Sequence, residues 1–323
     1  MVQINKAKRN HWLNRCGAIL MTVMFMTLLA SNPSLAQNAD QLTFASPDAA
    51  VRAMVEALNS NDPKALEAIF GPGSRDLITS GDPVADLAAR ERFLKLYGEK
   101  NRMEQTADEA VLSIGNEDWP FPIPMVKEDA LWRFDAEAGS EEILARRIGR
   151  NELSAIQVWL AYVDAQREYA LKDRDADGLL QYAQKFRSDK GMKNGLYWDM
   201  QEGEKQSPLG PLFAAAQEKG YNVESSGDQP IPYYGYYYRI LKGQEKDAPG
   251  GAHDYMVNGK MIGGFALVAY PATYASSGIM TFIVNHEGVV YQKDMGQNTE
   301  TAAQAMTLFN PDSKWKKVEE VAA

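Results

Sequence analysis

Asp173, Asp175 and Asp177, closed by Gly178, set carboxylates at alternate positions of a short segment, with a glycine where the chain must bend. That is the opening of a calcium loop, in which oxygen ligands converge on a cation that relieves their mutual repulsion. The ninth and twelfth positions are Gln181 and Gln184, so the bidentate glutamate that completes an EF-hand loop is missing. The spacing predicts a weak calcium site, against the alternative of a solvated, helix-ending turn held by Asx bonds.

Aromatic residues form a second group. Tyr236, Tyr237 and Tyr238 follow Tyr233 and Tyr234, and Trp119 stands beside Phe121 in a proline-rich stretch. On a strand, Tyr236 and Tyr238 share one face while Tyr237 and Arg239 share the other. One face must pack, so some of these rings belong to a core. The others, with Trp119, are a candidate platform for a sugar or a peptide. The charged block Arg146-Arg147-Ile148-Gly149-Arg150-Asn151-Glu152 reads as a solvated, salt-bridged helix face, or else as a contact for an anion or partner.

Other chemistry is hard to assemble. The single cysteine, Cys16, lies in the N-terminal leader described below, which leaves the mature chain no thiol for catalysis, zinc ligation or a disulfide. Only His253 and His286 follow the leader, so a multi-histidine metal centre is excluded. Both sit in turn-like contexts, beside Asp254 and Glu287, where solvated side chains are the rule. No Gly-x-Ser-x-Gly elbow and no phosphate-binding loop occur. The formal charge of −9, with no massed basic cluster, opposes binding to nucleic acid.

These groups need elements to hold them. Lys6, Lys8, Arg9 and Arg15 precede an uncharged apolar run over 16–30 and then Ser-Asn-Pro-Ser-Leu-Ala at 31–36. This order predicts a signal peptide over 1–36, cleaved after Ala36, and a periplasmic or extracellular protein. The run is too short for a permanent membrane span. Helix starts are written at Ser46-Pro47, Asp62-Pro63 and Asp82-Pro83. Strands are predicted at 110–114, 121–126 (a proline-flanked edge) and 131–134. A long helix follows from about 140 to 172, with a break or kink at Gly149 and an apolar stripe of Leu153, Ile156, Leu160 and Val163. Short helices are expected at 179–187, 209–219 and 299–308, and strands at 235–241, 264–270, 279–284 and 289–293. The fold class is α+β: an N-terminal domain over 37–149 of helices plus a small antiparallel sheet, and a C-terminal domain over 150–323 in which the long helix packs on an antiparallel meander.

Several blocks carry a family resemblance. Glu117-Asp118-Trp119-Pro120-Phe121-Pro122-Ile123-Pro124, Trp132-Arg133-Phe134-Asp135 and Arg147-Ile148-Gly149-Arg150-Asn151-Glu152 are three of them. Ser207-Pro208-Leu209-Gly210-Pro211-Leu212, Tyr234-Gly235-Tyr236-Tyr237-Tyr238-Arg239-Ile240-Leu241 and Gly263-Gly264-Phe265-Ala266-Leu267-Val268-Ala269-Tyr270-Pro271 are three more. Over about 41–318 the chain resembles the secreted bacterial domain-of-unknown-function 2950 family, which implies no particular activity. The opening helices are similar to cone-shaped, nuclear-transport-factor-2-like domains. From Asn151 onward the order of segments is similar to the globular half of type IV pilins and type II secretion pseudopilins. A complete domain precedes the matching helix here, so the likeness implies a fold and not filament assembly. The functional expectation is a non-enzymatic binding or envelope-associated module whose partner is an envelope protein or glycan. The alternatives are a small-molecule carrier using the N-terminal cone and a carboxylate-based hydrolase.

Overall fold

The computed structural model describes residues 41–200, 203–221 and 232–318. The predicted signal peptide lies outside the described residues.

The N-terminal helices start where the caps are written. Ser46 accepts from the Ala49 amide at the head of α1 (Pro47–Asn59), and Asp62 accepts from the Lys64 and Ala65 amides, both at 3.0 Å, at the head of α2 (Pro63–Phe70). A single turn, α3 (Arg75–Ile78), precedes α4 (Pro83–Glu99), which Asp82 caps. The starts of α1, α2 and α4 each combine a side-chain acceptor with a proline whose fixed φ suits the first helical position.

A sheet follows, built from β1 (Asn101–Gln105), β2 (Glu109–Ile114), β3 (Trp119–Pro120), β4 (Met125–Glu128) and β5 (Leu131–Phe134). Its order is β1-β2-β4-β5, all antiparallel, with β3 also pairing β2. The predicted edge strand at 121–126 is therefore two short pieces lying end to end along β2. Pro122 and Pro124 carry no amide hydrogen and interrupt the ladder between them. Met54, Phe70, Leu112, Met125, Trp132 and Phe134 fill the space between this sheet and α1–α2. Phe70 meets Phe134 edge to face with ring centroids 5.2 Å apart. The cone interior expected of a carrier is packed with the protein's own side chains.

Asp135 caps α5 (Ala136–Tyr169), which runs through Gly149 without a break. The first apolar core includes Ile143 of this helix, and the second begins at Ala155. The stripe that meets the second core shares Ile156 and Val163 with the predicted one but not its leucines. Ala155, Val158, Trp159, Tyr162, Val163, Gln166 and Tyr169 are buried, whereas Leu153 and Leu160 are 53% and 48% exposed. Aromatic and small residues mark the packed face here, because broad rings fill the pleat of a sheet and alanine lets the backbones approach.

No helix forms at 179–187. Tyr182 and Arg187 instead make isolated β-bridges to Met261 and Tyr197. Gln166 holds this segment to the helix: its amide accepts from the Ala183 N–H at 2.8 Å and donates to the Ala183 carbonyl at 2.8 Å. A backbone pair satisfied from α5 has no need of an internal helical ladder.

After α6 (Gly210–Glu218) comes β6 (Tyr236–Leu241), then four two-residue strands: β7 (Gly243–Gln244), β8 (His253–Asp254), β9 (Met256–Val257) and β10 (Lys260–Met261). The main sheet continues with β11 (Ala266–Pro271), β12 (Met280–Asn285) and β13 (Val290–Asp294), followed by α7 (Thr299–Ala305) and β14 (Lys316–Lys317). Its order is β14-β13-β12-β11-β6, antiparallel throughout. All six residues of β11 are buried, as a central strand covered on both faces requires. On one face Trp159 of α5 sits on Phe282, ring centroids 4.3 Å apart. On the other, Arg239 donates to the Ala303 and Met306 carbonyls at the end of α7.

Candidate functional site

The charged block on α5 is divided in its tasks. Arg147 donates to the Asp76 carbonyl at 2.5 Å, the Leu77 carbonyl at 2.7 Å and Ser276 Oγ at 3.1 Å. Asn151 Nδ2 donates to the Ser277 carbonyl at 2.9 Å, and Glu152 Oε1 accepts from the Ile279 and Met280 amides at 3.1 and 3.0 Å. Three of the residues expected on a solvated face thus tie α3 and the turn before β12 to one stretch of helix. Ordinary-looking helix surface becomes a polar joint because two loops supply backbone groups that need partners.

The remaining arginines face outward. Arg146 pairs with Glu142 at 2.5 Å, one turn earlier, and its guanidinium carbon lies 4.6 Å from the centre of the Trp119 ring. Trp119 is 40% exposed. Arg150 follows Arg146 by one turn, and burial, then Arg92, Arg147 and Arg146, all push its pKa below the ordinary guanidinium value. Neither Arg92 nor Arg150 has an ion-pair partner among the described residues. Like charges held together without a carboxylate repel, and a bound anion removes that cost.

The tyrosine strand offers much less. Tyr236 is fully buried and its hydroxyl donates to the Met280 carbonyl at 3.0 Å, which takes it out of the predicted ligand platform. Tyr237 and Tyr238 are half-buried. Tyr237 packs on Tyr270 with centroids 5.6 Å apart, and the Tyr238 hydroxyl donates to the Tyr233 carbonyl at 3.3 Å. Burial raises all three phenol pKa values, so none is a base near neutrality. Of the aromatic candidates only Trp119 keeps an open face.

In the aspartate loop, Asp173 accepts from the amides of Asp175 at 3.2 Å, Asp177 at 3.4 Å and Gly178 at 2.8 Å. Gly178 has φ +84°, the conformation its missing Cβ permits. Lys260 stands 3.6 Å from an Asp175 oxygen and contacts Asp177, and Gln181 donates to Asp175. A lysine ammonium thus sits among the carboxylates predicted to hold calcium. Among the described residues no group of three or more histidine, cysteine or acidic side chains is arranged to hold a metal ion. Calcium would have to displace Lys260, which leads to a test. The Lys260→Met variant is expected to melt lower than wild type and to regain the loss in millimolar calcium, because a ligand of the native state stabilises by mass action. Melting curves that ignore calcium in both proteins would rule the loop out as a calcium site.

His253 and His286, far apart in sequence, come together with ring centroids 6.4 Å apart, and both lie against Tyr255. Burial first, opposed by Glu287, holds His286 below the usual imidazole pKa. The fold favours the neutral ring, and that stabilisation fades as pH falls below the unfolded value toward the folded one.

Two apolar cores sharing one long helix, each roofed by an antiparallel sheet, define an α+β protein. Its outward-facing polar features are an arginine–tryptophan face and a lysine-locked acidic loop. The family model for a protein of unknown function, DUF2950, matches residues 41–318, and the chain belongs to that family. No curated relative and no solved structure matches the chain. Among the described residues no helix is long and apolar enough to cross a membrane.

Proposed function

We propose that this protein is an exported, non-catalytic binding module of the cell envelope or its exterior. It docks an acidic segment of a partner protein on the face made by Arg92, Arg146 and Arg150 beside Trp119. The observation that carries this reading is the cluster of guanidinium groups without enough carboxylates, in a chain whose net charge is negative. Arginine and tryptophan dominate the binding energy of protein interfaces, the first through its rigid fork of donors and the second through area at low entropic cost. Arg147, locked to three oxygen atoms, fixes the stretch of α5 that presents its neighbours. Export is supported by the basic–apolar–small order of 1–36.

The test uses the full chain and a labelled deca-glutamate peptide, read by fluorescence anisotropy. Binding is expected at low salt, weakened several-fold at about 0.5 M salt as screening grows. It should weaken by about tenfold or more in Arg150→Glu or Trp119→Ala. Peptide affinity equal in all three proteins, or absent throughout, ends this reading. Tighter capture of polygalacturonate than of the peptide would reassign the face to an anionic glycan. Export is checked on the product recovered outside the cytosol, whose mass should lack 1–36; a product retaining the leader would remove the envelope part of the proposal.

A further inference from the structure

At the C-terminal end of α5, away from the aromatic platform and the arginine face, lies a cavity of about 220 Å³ lined in part by Leu171, Arg174, Lys193, Trp198 and Pro208. That is below the roughly 300–1,000 Å³ usual for sites of drug-sized ligands, so an occupant must be small.

Arg174 lines it because the aspartate loop puts it there. The loop's amides are collected by Asp173 and its other carboxylates are held by Lys260, so the residue between Asp173 and Asp175 is turned back over the helix end. The Arg174 guanidinium carbon is 4.4 Å from the centre of the Tyr169 ring and 5.0 Å from that of Trp198. Tyr169 is itself fixed, its hydroxyl donating to the Lys193 carbonyl at 3.0 Å. A guanidinium stacked on two rings loses little freedom when an anion arrives, and its fork of N–H groups remains to be satisfied.

The charge balance is positive in an otherwise acidic protein. Lys205 pairs with Glu168 at 2.8 Å and Lys193 with Glu204 at 3.0 Å. Lys172 and Arg174, also in the lining, have no ion-pair partner among the described residues. Two donors are buried without an acceptor: Arg174 Nε and Trp198 Nε1. Unpartnered buried N–H groups are uncommon in native proteins, and here they mark a corner of the fold that is short of acceptors, beneath the Arg174 fork. Leu171 and Pro208 supply an apolar wall beside these donors.

We infer that this cleft binds a small organic anion, a carboxylate or phosphate ester with a compact apolar body, held by the Arg174 fork and assisted by Lys172. The site is independent of the arginine–tryptophan face, so either reading stands if the other fails.

Calorimetric titration of the full chain would use benzoate, phenyl phosphate, inorganic phosphate and benzyl alcohol as probes. Benzoate or phenyl phosphate is expected to bind at millimolar concentration or better, and to bind about tenfold or more tightly than inorganic phosphate, which lacks the apolar body. Benzyl alcohol, lacking the charge, should not bind. Which of the two organic anions binds more tightly separates a carboxylate ligand from a phosphate ester. Arg174→Lys keeps the charge and loses the fork; it should weaken binding by about tenfold, and Arg174→Gln by more. Trp198→Phe leaves a smaller ring under Arg174 and should also weaken binding, while Lys316→Ala, on β14, should not. Circular dichroism identifies any variant that fails to fold, and the remaining variants then decide. The inference is overturned if none of the anions binds, or if folded Arg174→Lys and Trp198→Phe bind like wild type.

Discussion

Replacing Asp82 by alanine is expected to lower stability by about 4 kcal/mol, the sum of a lost helix cap and of buried hydrogen bonds to a charged acceptor. Asp82 is fully buried. One carboxylate oxygen accepts from the Val84 and Ala85 amides at 3.2 and 3.1 Å, which starts α4. The other accepts from the Tyr221 hydroxyl at 2.8 Å and from the Gly235 amide at 2.9 Å, well over a hundred positions along the chain. Alanine leaves the Tyr221 hydroxyl and the Gly235 amide without this acceptor inside the protein, and leaves the half-buried Val84 and Ala85 amides without their cap. Burial and the neighbouring Asp82 raise the Tyr221 pKa, so the phenol stays a donor and cannot relieve the loss by ionising. Only glycine fits at 235: it has φ +72°, and a Cβ there would stand 2.5 Å from Asn151 Nδ2. The check is urea unfolding, with a lower midpoint and an unchanged slope, or a melting temperature reduced by about 10 °C. Asp82→Asn keeps the cap acceptor and should lose roughly half as much. Because α4 carries Arg92, a weakened α4 should also reduce peptide binding at the arginine face. A loss below about 1 kcal/mol in Asp82→Ala would show that the buried carboxylate is not the joint described here.

The second large effect is expected at Trp159. Truncation to alanine should cost about 3–5 kcal/mol, the range for removing a large aromatic side chain from a packed core. Trp159 is buried in the second core and rests on Phe282 of the central sheet, the contact through which α5 meets β12. Its neighbour Leu160 is half exposed, and Leu160→Ala should change stability by less than about 0.5 kcal/mol. The pair is informative because hydropathy alone ranks leucine as the buried residue of the two. Equal losses at both positions, measured by thermal or urea unfolding, would show that the helix faces have been assigned wrongly.

That pair also shows where periodicity misleads. On α5, leucines recur at helical spacing over 153–160 and are half exposed, while the buried stripe is written in alanine, valine, tryptophan, tyrosine and glutamine. Counting leucines gives the phase of the wrong face, since rings and amides bury well only when a sheet and a facing loop are there to meet them. The same holds at 179–187. Its composition allows a helix, but Gln166 and Met261 take its backbone groups and leave it extended. The charged block at 146–152 conceals Asn151 and Glu152, whose partners arrive from the turn before β12. In the aspartate loop the acidic spacing is visible in the sequence, but Lys260, which neutralises it, comes from a distant strand.

The amino-acid sequence by itself determined the three proline-marked helix starts, the four main strands of the C-terminal sheet to within two residues, the α+β class and the family. These depend on local causes: a side chain that caps its own helix's amides, a proline that sets φ, and the run of β-branched, aromatic and apolar residues that marks a strand. Tertiary structure alone decided which side of α5 is covered, that Tyr236 is core while Trp119 is open, and that Arg174 stands over two rings beside a cavity. Those outcomes depend on groups brought together from distant parts of the chain, and burial, hydrogen-bond satisfaction and the balance of charge are properties of that assembly.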